Sequence, residues 1–571
     1  MRFIHQKRAC PNCGDKNGTS PCIRCGTVLP PQKNRTMFII IAVVLVLLAV
    51  SSLVFTLLRS LPPPVTIPTP TPPPSVTANI NNGISVKPVN GEAIGISDGS
   101  ATFYTSPDDL DQKKQAAEDM KKGDVPDAIK QWTEASQIAT NDAEPLIYIE
   151  DQHVLDSHKP YITIVIGVAL SPKKVDGFSR DFLQAAYIAQ KECNDHTLHL
   201  IDTNNTPLCP ADGKMARLLI ANSGSDPSES AEVAKQILQA AKADPTIVAV
   251  LGWTTSETTV NVIPILQQRQ LPIITASNAG DALSGQPDFF RTGSPISAQI
   301  PLIKSYISTK LNPQHMVIFD HNSDTYYSRE LANSLHNQLP QSTPPIEYNA
   351  SNPQAIAKQI NDADVVFMAT NNVQDLVTLL RDDIPADANL NANLKVFTGG
   401  TGYELVEAGQ SNLPNYNRVI FCTPTFPDIW GHLGQGQAQF DFSGIYDATY
   451  NPNKQHNGDY TFSRPNSTTM LAYDDMLVLL AGSKTASEKA KAEGKQDFTP
   501  AELRDSLKQI NDQHPLQGIT GRIAFDVNGD PTAKTNLILR VDNTNSLHLM
   551  AHDGCFLVNT SCNNQIVLTD Q

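Results

Sequence analysis

Short, continuous apolar runs recur along the chain and are separated by longer stretches with helical periodicity. A run such as Val248 to Leu251, which has no polar alternation, is typical of a parallel strand buried on both faces. Strands that alternate with helices predict βαβ units and parallel sheets, so the expected fold class is α/β. About 400 residues exceed a single hydrophobic core, which predicts two lobes. The predicted strands are Ile162 to Ala169, Met215 to Ala221, Ile247 to Leu251, Leu271 to Thr275, Met316 to Phe319, Val365 to Met368, Leu394 to Thr398 and Val419 to Cys422.

Polar residues follow the predicted strand that ends at Gly252. Thr254, Thr255, Ser256 and Glu257 stand where a helix should begin. A polar loop that joins a buried strand to a helix N-terminus offers hydroxyls and free backbone N–H groups to an anionic ligand. The alternative is a capping box of Thr254 and Glu257, which only starts the helix.

Several segments resemble one known family. Val250-Leu-Gly with the Thr/Ser cluster, Leu271-Pro-Ile-Ile-Thr and Phe290-Arg-Thr are similar to the first lobe of type I periplasmic binding proteins. The branch that they resemble binds branched-chain amino acids and amides, as leucine-binding proteins do. Residues 163–194, Leu471-Ala-Tyr-Asp-Asp and residues 517–531 continue the resemblance.

The resemblance implies two doubly wound parallel sheets and three crossovers between the lobes, near residues 294–299, 423–427 and 516–520. The whole domain would span 158–571, and a ligand would lie in the cleft. The first lobe would comprise about 158–296 and 426–516, and the second about 297–425 and 517–571.

The resemblance also implies ligand-binding residues. Ser256 matches the main contact of the ligand carboxylate and Thr255 precedes it, while Ser277, Asn278 and Ala279 match a second loop. Ala279 stands where the amino acid binders have a threonine, so one hydroxyl is missing. Phe178 and Tyr327 match aromatic walls of the site, with lobe-edge packing as the alternative. Asn371 and Asn372 either bind ligand or cap a helix. Glu404 or Asp447 would supply an acid for an ammonium group.

The N-terminal part carries separate modules. Residues 1–36 have seven Lys or Arg and one acid, and Met37 to Leu58 is an uncharged apolar run of 22 residues. As a helix this run is about 33 Å long, enough to span a bilayer. The basic flank predicts a single-pass anchor in the cell membrane, with a cytoplasmic N-terminus and an extracytoplasmic C-terminal domain. A cleaved signal peptide is the alternative, but the apolar run is too long for one.

Cysteines form two groups. Cys10, Cys13, Cys22 and Cys25 are two CxxC pairs, which resemble a bacterial zinc ribbon and predict one structural zinc ion. Two disulfides are the alternative, which a reducing cytoplasm disfavours. Outside the membrane, disulfides are suspected between Cys193 and Cys209 and between Cys555 and Cys562, with Cys422 left as a buried thiol.

Between the predicted anchor and the α/β domain lie two further segments. Residues 59–106 are rich in proline and then in Asn and Gly, and are predicted to be a linker. Residues 107–157 predict two helices separated by Gly123-Asp124 and resemble one tetratricopeptide repeat. One repeat cannot bury its apolar face alone. The segment is therefore expected to pack on the next domain or on a partner, with Trp132 in the core.

Composition excludes some function classes. The net charge is −15 although residues 1–36 are basic, so the outer part is strongly acidic and unsuited to nucleic acid. The chain has no HExxH motif and no phosphate-binding glycine loop, which argues against an enzyme. The predicted function is a solute-binding protein for a small polar ligand, serving an ABC permease or a sensory partner. The alternative is an interaction regulator with a vestigial cleft, similar to the activators of penicillin-binding proteins, which contacts a cell-wall synthase.

Overall fold

This computed structural model describes residues 83–103, 106–173, 177–196, 208–210, 213–321, 324–386, 391–435, 441–558 and 565–569. They belong to a compact unit that spans Ala78–Gln571. The predicted zinc ribbon, the predicted membrane helix and the proline-rich part of the predicted linker lie outside the described residues. Within the described ranges, no helix is both long and apolar enough to cross a membrane.

The first lobe is built on a seven-stranded sheet in the order β1-β2-β4-β3-β5-β6-β7. Strands β3 to β7 are parallel, and β1 and β2 run antiparallel at one edge. The strands are β1 (Val86–Val89), β2 (Glu92–Ser97), β3 (Tyr161–Val168), β4 (Met215–Asn222), β5 (Ile247–Gly252), β6 (Ile273–Thr275) and β7 (Phe289–Arg291).

The second lobe is built on an eight-stranded sheet in the order β17-β16-β15-β12-β11-β10-β8-β9. Strands β8 to β12 are parallel, while β15 to β17 run antiparallel, so both sheets are mixed rather than purely parallel. The strands are β8 (Met316–Asp320), β9 (Ile346–Glu347), β10 (Val365–Met368), β11 (Lys395–Thr398), β12 (Val419–Thr423), β15 (Leu537–Val541), β16 (Leu547–His552) and β17 (Val567–Leu568); β13 (Leu516–Gly518) and β14 (Gly521–Ile523) form a separate hairpin.

Every strand predicted from an apolar run is present, with ends that differ by at most two residues. Helices alternate with the parallel strands, as predicted. The helices are α1 (Leu110–Lys122), α2 (Val125–Ile138), α3 (Glu144–Asp156), α4 (Gly177–Asn194), α5 (Glu229–Ala243), α6 (Ser256–Leu266), α7 (Ile296–Tyr306), α8 (Ser328–Gln338), α9 (Pro353–Gln359), α10 (Val373–Thr378), α11 (Ile384–Ala386), α12 (Thr401–Glu407), α13 (Ile429–His432), α14 (Phe442–Tyr450), α15 (Ser467–Ala492) and α16 (Pro500–Leu507).

The linker prediction is wrong for the segment that forms β1 and β2. Strand β2 pairs with β4, with Gly95 opposite Asn222 and Ile96 opposite Ala221. Ile94 and Ile96 are buried in a first-lobe apolar cluster. Gly95 has a φ of +135°, and its missing side chain lets the Ser85 carbonyl approach the strand. These residues are therefore an edge of the first sheet and not a tether.

Helices α1 to α3 form a unit that packs on the first lobe. The prediction that Trp132 is a core residue is confirmed, since it is 1% exposed and its ring lies 5.3 Å from that of Tyr148. A third helix, α3, follows the predicted pair. Its Asp151 carboxylate accepts hydrogen bonds from Leu218 N on β4 at 2.9 Å and from Gln190 Nε2 on α4 at 2.7 Å. Buried polar bonds thus join the helical unit to the sheet.

After the second sheet has begun, the chain returns to the first lobe through α14 and α15, whose apolar residues lie in the first-lobe core. Trp430, placed in the first lobe by the sequence, lies in a second-lobe cluster. Ile519 and Phe525, placed in the second lobe by the sequence, lie in the first-lobe core. At these two crossings the chain therefore passes between the lobes later in the sequence than expected.

Helix α15 anchors two of the segments that join the lobes. The Asp474 carboxylate accepts hydrogen bonds from Ile519 N at 2.8 Å and from Thr520 N at 2.9 Å. The neighbouring Asp475 carboxylate accepts one from the Thr292 hydroxyl at 2.8 Å. Both acids are fully buried, so these bonds hold the crossing segments against a rigid helix.

The suspected disulfide between Cys193 and Cys209 is absent, and both residues are buried free thiols. The hydrogen bond with Cys209, together with burial, raises the pKa of Cys193 well above its usual value. Cys555 is in a disulfide, and its predicted partner Cys562 lies outside the described residues. Cys422 is a buried free thiol, as predicted.

Candidate functional site

The order of the parallel strands reverses at one point in each sheet. In the first sheet the order β4-β3-β5-β6-β7 reverses between β3 and β5, and in the second the order β9-β8-β10-β11-β12 reverses between β8 and β10. Open α/β sheets of this order bind ligands outside the carboxyl ends of the strands at the reversal. Strand β5 ends just before Thr255 and Ser256, and β8 ends shortly before Tyr327. Three predicted site residues thus follow strands at the reversal points.

Thr255 and Ser256 begin helix α6 in different roles. Thr255 is the N-cap, and its hydroxyl accepts a hydrogen bond from Thr258 N at 3.4 Å. The predicted capping box of Thr254 and Glu257 is therefore wrong, because the helix is capped by a single hydrogen bond to the Thr255 side chain. Ser256 is 7% exposed, and its Oγ accepts a hydrogen bond from Gly280 N at 3.3 Å. Ser256 thus joins the first polar loop to the second.

Ser277 and Asn278 bind the first loop from the other side. The Ser277 hydroxyl donates to Thr254 O at 2.8 Å. The Asn278 side-chain amide donates to Trp253 O at 2.9 Å and to Thr259 Oγ1 at 2.6 Å. Both side chains therefore support the two loops. Ala279 is partly buried against a second-lobe apolar cluster, which places it at the boundary of the lobes.

Arg291 supports the second loop through hydrogen bonds to its carbonyl groups. Its guanidinium is completely buried and donates to Asn278 O at 2.9 Å and to Gly280 O at 2.8 Å. It also donates to Asp530 Oδ1 at 2.7 Å and to Ser284 Oγ at 2.7 Å. The carbonyl groups of the loop are held towards the arginine. The sequence marks this residue only as part of Phe290-Arg-Thr, an arginine at the end of an apolar strand.

Tyr327 packs against the second-lobe core, and its backbone N–H donates to the Asp324 carboxylate at 3.1 Å. Burial raises the pKa of the Tyr327 hydroxyl, with a further contribution from Asp324. The hydroxyl lies so close to Gly399 that no Cβ fits there. This tyrosine is therefore anchored inside its own lobe.

The two lobes are in direct contact beside these loops. The Glu330 carboxylate on α8 accepts hydrogen bonds from Asp281 N, at 3.2 Å to Oε1 and 3.1 Å to Oε2. Gly280 comes so close to the Tyr326 carbonyl that a Cβ would lie 2.4 Å from it. The Asp281 carboxylate in turn accepts a hydrogen bond from Ser297 N at 3.1 Å, at the start of α7. Polar contacts thus join the two lobes along this edge of the candidate site.

Residues 174–545 match the profile of a family described as periplasmic binding proteins. The chain belongs to this family. The family resemblance is confirmed, and so is the expectation that the chain is a binding protein and not an enzyme. No curated protein sequence matches the chain.

Solved binding proteins share this fold. A leucine-binding protein from Thermotoga maritima is 17% identical, with 68% of this chain and 98% of that chain covered and a TM-score of 0.51. A branched-chain amino acid binding protein from Streptococcus pneumoniae, in complex with isoleucine, is 18% identical, with 68% and 99% covered and a TM-score of 0.51. A solute-binding protein from R. palustris, in complex with benzoate, is 12% identical, with 72% and 98% covered and a TM-score of 0.50. At these identities the likeness concerns the two-lobed fold.

The remaining predicted site residues of this binding protein are less central. Phe178 lies in the first turn of α4, which begins at Gly177. Asn371 is exposed, and Asn372 caps α10 by accepting a hydrogen bond from Gln374 N at 3.2 Å. The capping alternative therefore holds for Asn372.

Of the two proposed acids, Glu404 lies on α12 of the second lobe. Asp447 lies on α14, which packs in the first-lobe core, and it pairs with Lys454 and Asn451. Asp447 therefore lies in the first lobe and is already paired there. Across the residues that the structure describes, no group of three or more His, Cys, Asp or Glu is arranged to hold a metal ion. The predicted zinc ligands lie outside those residues.

A second polar contact between the lobes was not visible in the sequence. The Asn466 side-chain amide at the start of α15 donates to Asp181 on α4 at 2.7 Å and to Glu407 on α12 at 3.3 Å. Burial raises the pKa of Glu407 well above its usual value, and the Asp181 carboxylate raises it further. This contact could not be predicted from the sequence because the three residues are far apart in the chain.

Proposed function

We propose that this chain is a membrane-anchored extracytoplasmic solute-binding protein that captures a small polar ligand, such as an amino acid, an amide or a peptide-like compound, for ABC-type transport or for sensing. The observation that carries the proposal is the pair of strand-order reversals, one in each lobe, with the Ser256 loop at the first and the Tyr327 loop at the second. The two lobes would close on a ligand about the crossing segments.

The chemistry of the first lobe favours an anionic group on the ligand. Ser256 is the first residue of α6, a helix of 11 residues, so its hydroxyl stands beside the free N–H groups and the positive end of the helix dipole. The buried Arg291 guanidinium lies behind the second loop. Isoleucine and benzoate, which the two structures named above contain, share a carboxylate. A carboxylate is therefore the group that we expect Ser256 to bind.

A ligand screen tests the proposal. The full-length chain should gain thermal stability with at least one member of a panel of amino acids, amides, short peptides and aromatic carboxylates, because a ligand that binds only the native state stabilises it. For that ligand, Ser256→Ala should weaken the affinity measured by calorimetry about tenfold, the cost of one hydrogen bond to a charged group. Ser351→Ala, at an exposed serine of the second lobe, is the control and should leave the affinity unchanged. If no compound of the panel stabilises the chain, the proposal fails.

The second candidate is an interaction regulator whose cleft is closed, similar to activators of penicillin-binding proteins. It is favoured by the direct contacts of Glu330 with Asp281 and of Gly280 with Tyr326, which join the lobes where a ligand would enter. The helical unit α1 to α3, packed on the first lobe, would then offer a surface to a partner. Direct binding to a purified cell-wall synthase, together with a failed ligand screen, is the result that distinguishes this function.

The N-terminal modules complete the proposal. Cys10, Cys13, Cys22 and Cys25 would hold one structural zinc ion on the cytoplasmic side. Residues 37–58 would form the membrane anchor, and the proline-rich residues that follow would act as a spacer.

A further inference from the structure

We propose that Glu330 is an interlobe latch: its carboxyl group accepts a hydrogen bond from a first-lobe backbone N–H that an anionic ligand would use, and so holds the two lobes together. The inference deepens the proposed function and rests on it for the ligand, although the latch itself does not depend on a ligand. Glu330 would thus be an internal competitor of the solute.

The geometry of the second loop sets up this contact. Arg291 holds the carbonyl groups of Asn278 and Gly280 at 2.9 and 2.8 Å. In a trans peptide the N–H lies opposite the carbonyl oxygen, so the Asp281 N–H points away from the arginine. Gly280 N donates to Ser256 Oγ in its own lobe, and Asp281 N donates to Glu330 in the other lobe. Both oxygens of Glu330 lie at about equal distances from this one N–H, as a ligand carboxylate would.

The charges around Glu330 oppose its ionisation in the closed cleft. It faces the Asp281 carboxylate on the second loop, the Asp324 carboxylate after β8 and, with the opposite sign, the Arg291 guanidinium on β7. Burial, followed by repulsion from Asp281, raises the pKa of Glu330 to about 7. An open cleft would expose the group and return the pKa towards its usual value near 4.5.

The sign of the pH effect follows from this difference. A carboxyl group whose pKa is higher in the closed state takes up a proton on closing, so closure is most favourable at low pH. Closure becomes less favourable as the pH rises from about 4.5 to about 7. Above about pH 7 the group is ionised in both states, so closure does not change further. Opening, and access of an anionic solute to Asp281 N, are thus favoured near neutral pH.

Hydrogen–deuterium exchange of the full-length chain tests the latch without a ligand. In Glu330→Ala the peptide that covers residues 277–284 should exchange about tenfold faster, because one hydrogen bond across the lobes is lost. In Glu330→Gln the side-chain oxygen still accepts from Asp281 N. The protection should therefore remain and, after correction for the intrinsic exchange rate, should lose its dependence on pH between about 4.5 and about 7.

A matched control is Glu134→Ala, at an exposed glutamate of α2, which should change neither quantity. The proposal is overturned if the peptide exchanges at the wild-type rate in Glu330→Ala. If that variant instead raises exchange equally in peptides of β3 and β10, the fold itself has loosened and Glu330→Gln decides: an unaltered pH dependence in that variant also overturns the proposal. A failed ligand screen would leave both results standing, so failure of the latch and failure of the proposed function are distinguishable.

Discussion

Replacing Lys113 by methionine should destabilise the chain by about 3 to 5 kcal/mol, the usual cost of removing one partner from a buried ion pair. Lys113 is 1% exposed, and its Nζ lies 2.6 Å from Asp142 Oδ2, 3.0 Å from Glu144 Oε2 and 3.4 Å from Asp109 Oδ1. Burial alone would lower the pKa of Lys113, but the carboxylates of Asp142, Glu144 and Asp109 raise it above its usual value. Without the ammonium group, three carboxyl groups would remain together in the interior of the helical unit.

The pH dependence of this loss follows from the same group of charges. Burial and the Asp142 carboxylate raise the pKa of Asp109 to about 8 even with the lysine present. In Lys113→Met the buried acids must be protonated, which costs less in acid, so the loss of stability should shrink between about pH 7 and about pH 5. Urea unfolding at both pH values measures it. Lys122→Met removes an exposed lysine that pairs with Asp119 and should leave the unfolding midpoint unchanged. An equal loss in the two variants would contradict the prediction.

Arg291→Met should cost the chain a similar amount, about 3 to 5 kcal/mol, because the methionine leaves Asp530 and two loop carbonyls without their buried donor. Arg291→Lys should recover only part of the loss, since one ammonium group cannot reproduce the planar set of donors. The same variants should weaken binding of any ligand found in the screen, because Gly280 and Asp281 lose their support. Urea unfolding and calorimetry give the two readouts.

The control for Arg291 is Arg381→Met, at an exposed arginine that pairs with its neighbour Asp382. It should change neither the unfolding midpoint nor the affinity. If Arg291→Met unfolds at the wild-type urea concentration, the guanidinium is not the support of the second loop. If it is destabilised but binds ligand as the wild type does, the loop does not form the anionic half of the site.

Most of the parallel strands were predictable because they are continuous apolar runs between polar turns, as in β5 and β10, whereas the short strands β7 and β9 were not among the predicted ones. The hairpin of β1 and β2 was not, because Glu92 to Ser97 contains a glycine and an acid and pairs with β4 only after more than a hundred intervening residues. Local pattern cannot detect a strand whose stability comes from a distant partner. The antiparallel strands β15 and β16 were missed as elements of the second sheet for the same reason.

In the candidate site, too, the local features could be predicted from the sequence and the contacts between distant residues could not. Thr255 and Ser256 could be placed at the end of a strand and the start of a helix, because strand and cap both leave local signals. Their partners could not be named, since the contact of Ser256 with Gly280 depends on how two loops meet. Glu330 lies in an ordinary amphipathic helix, and only the closure of one lobe on the other brings it to Asp281. Contacts across a cleft leave no periodic pattern in the sequence.

The position of β2 decides where the chain can be cut for study. A soluble fragment that starts at the helical unit, near residue 107, would lose the strand that covers the edge of β4. Strand β4 would then become an edge strand with unpaired N–H and C=O groups, which is a template for aggregation. The apolar surface that Ile94 and Ile96 cover would also be exposed. A fragment that starts before Gly83 keeps the hairpin. A force applied to the chain from its N-terminal side would be transmitted to the first lobe through the pairing of β1 with β2 and of β2 with β4.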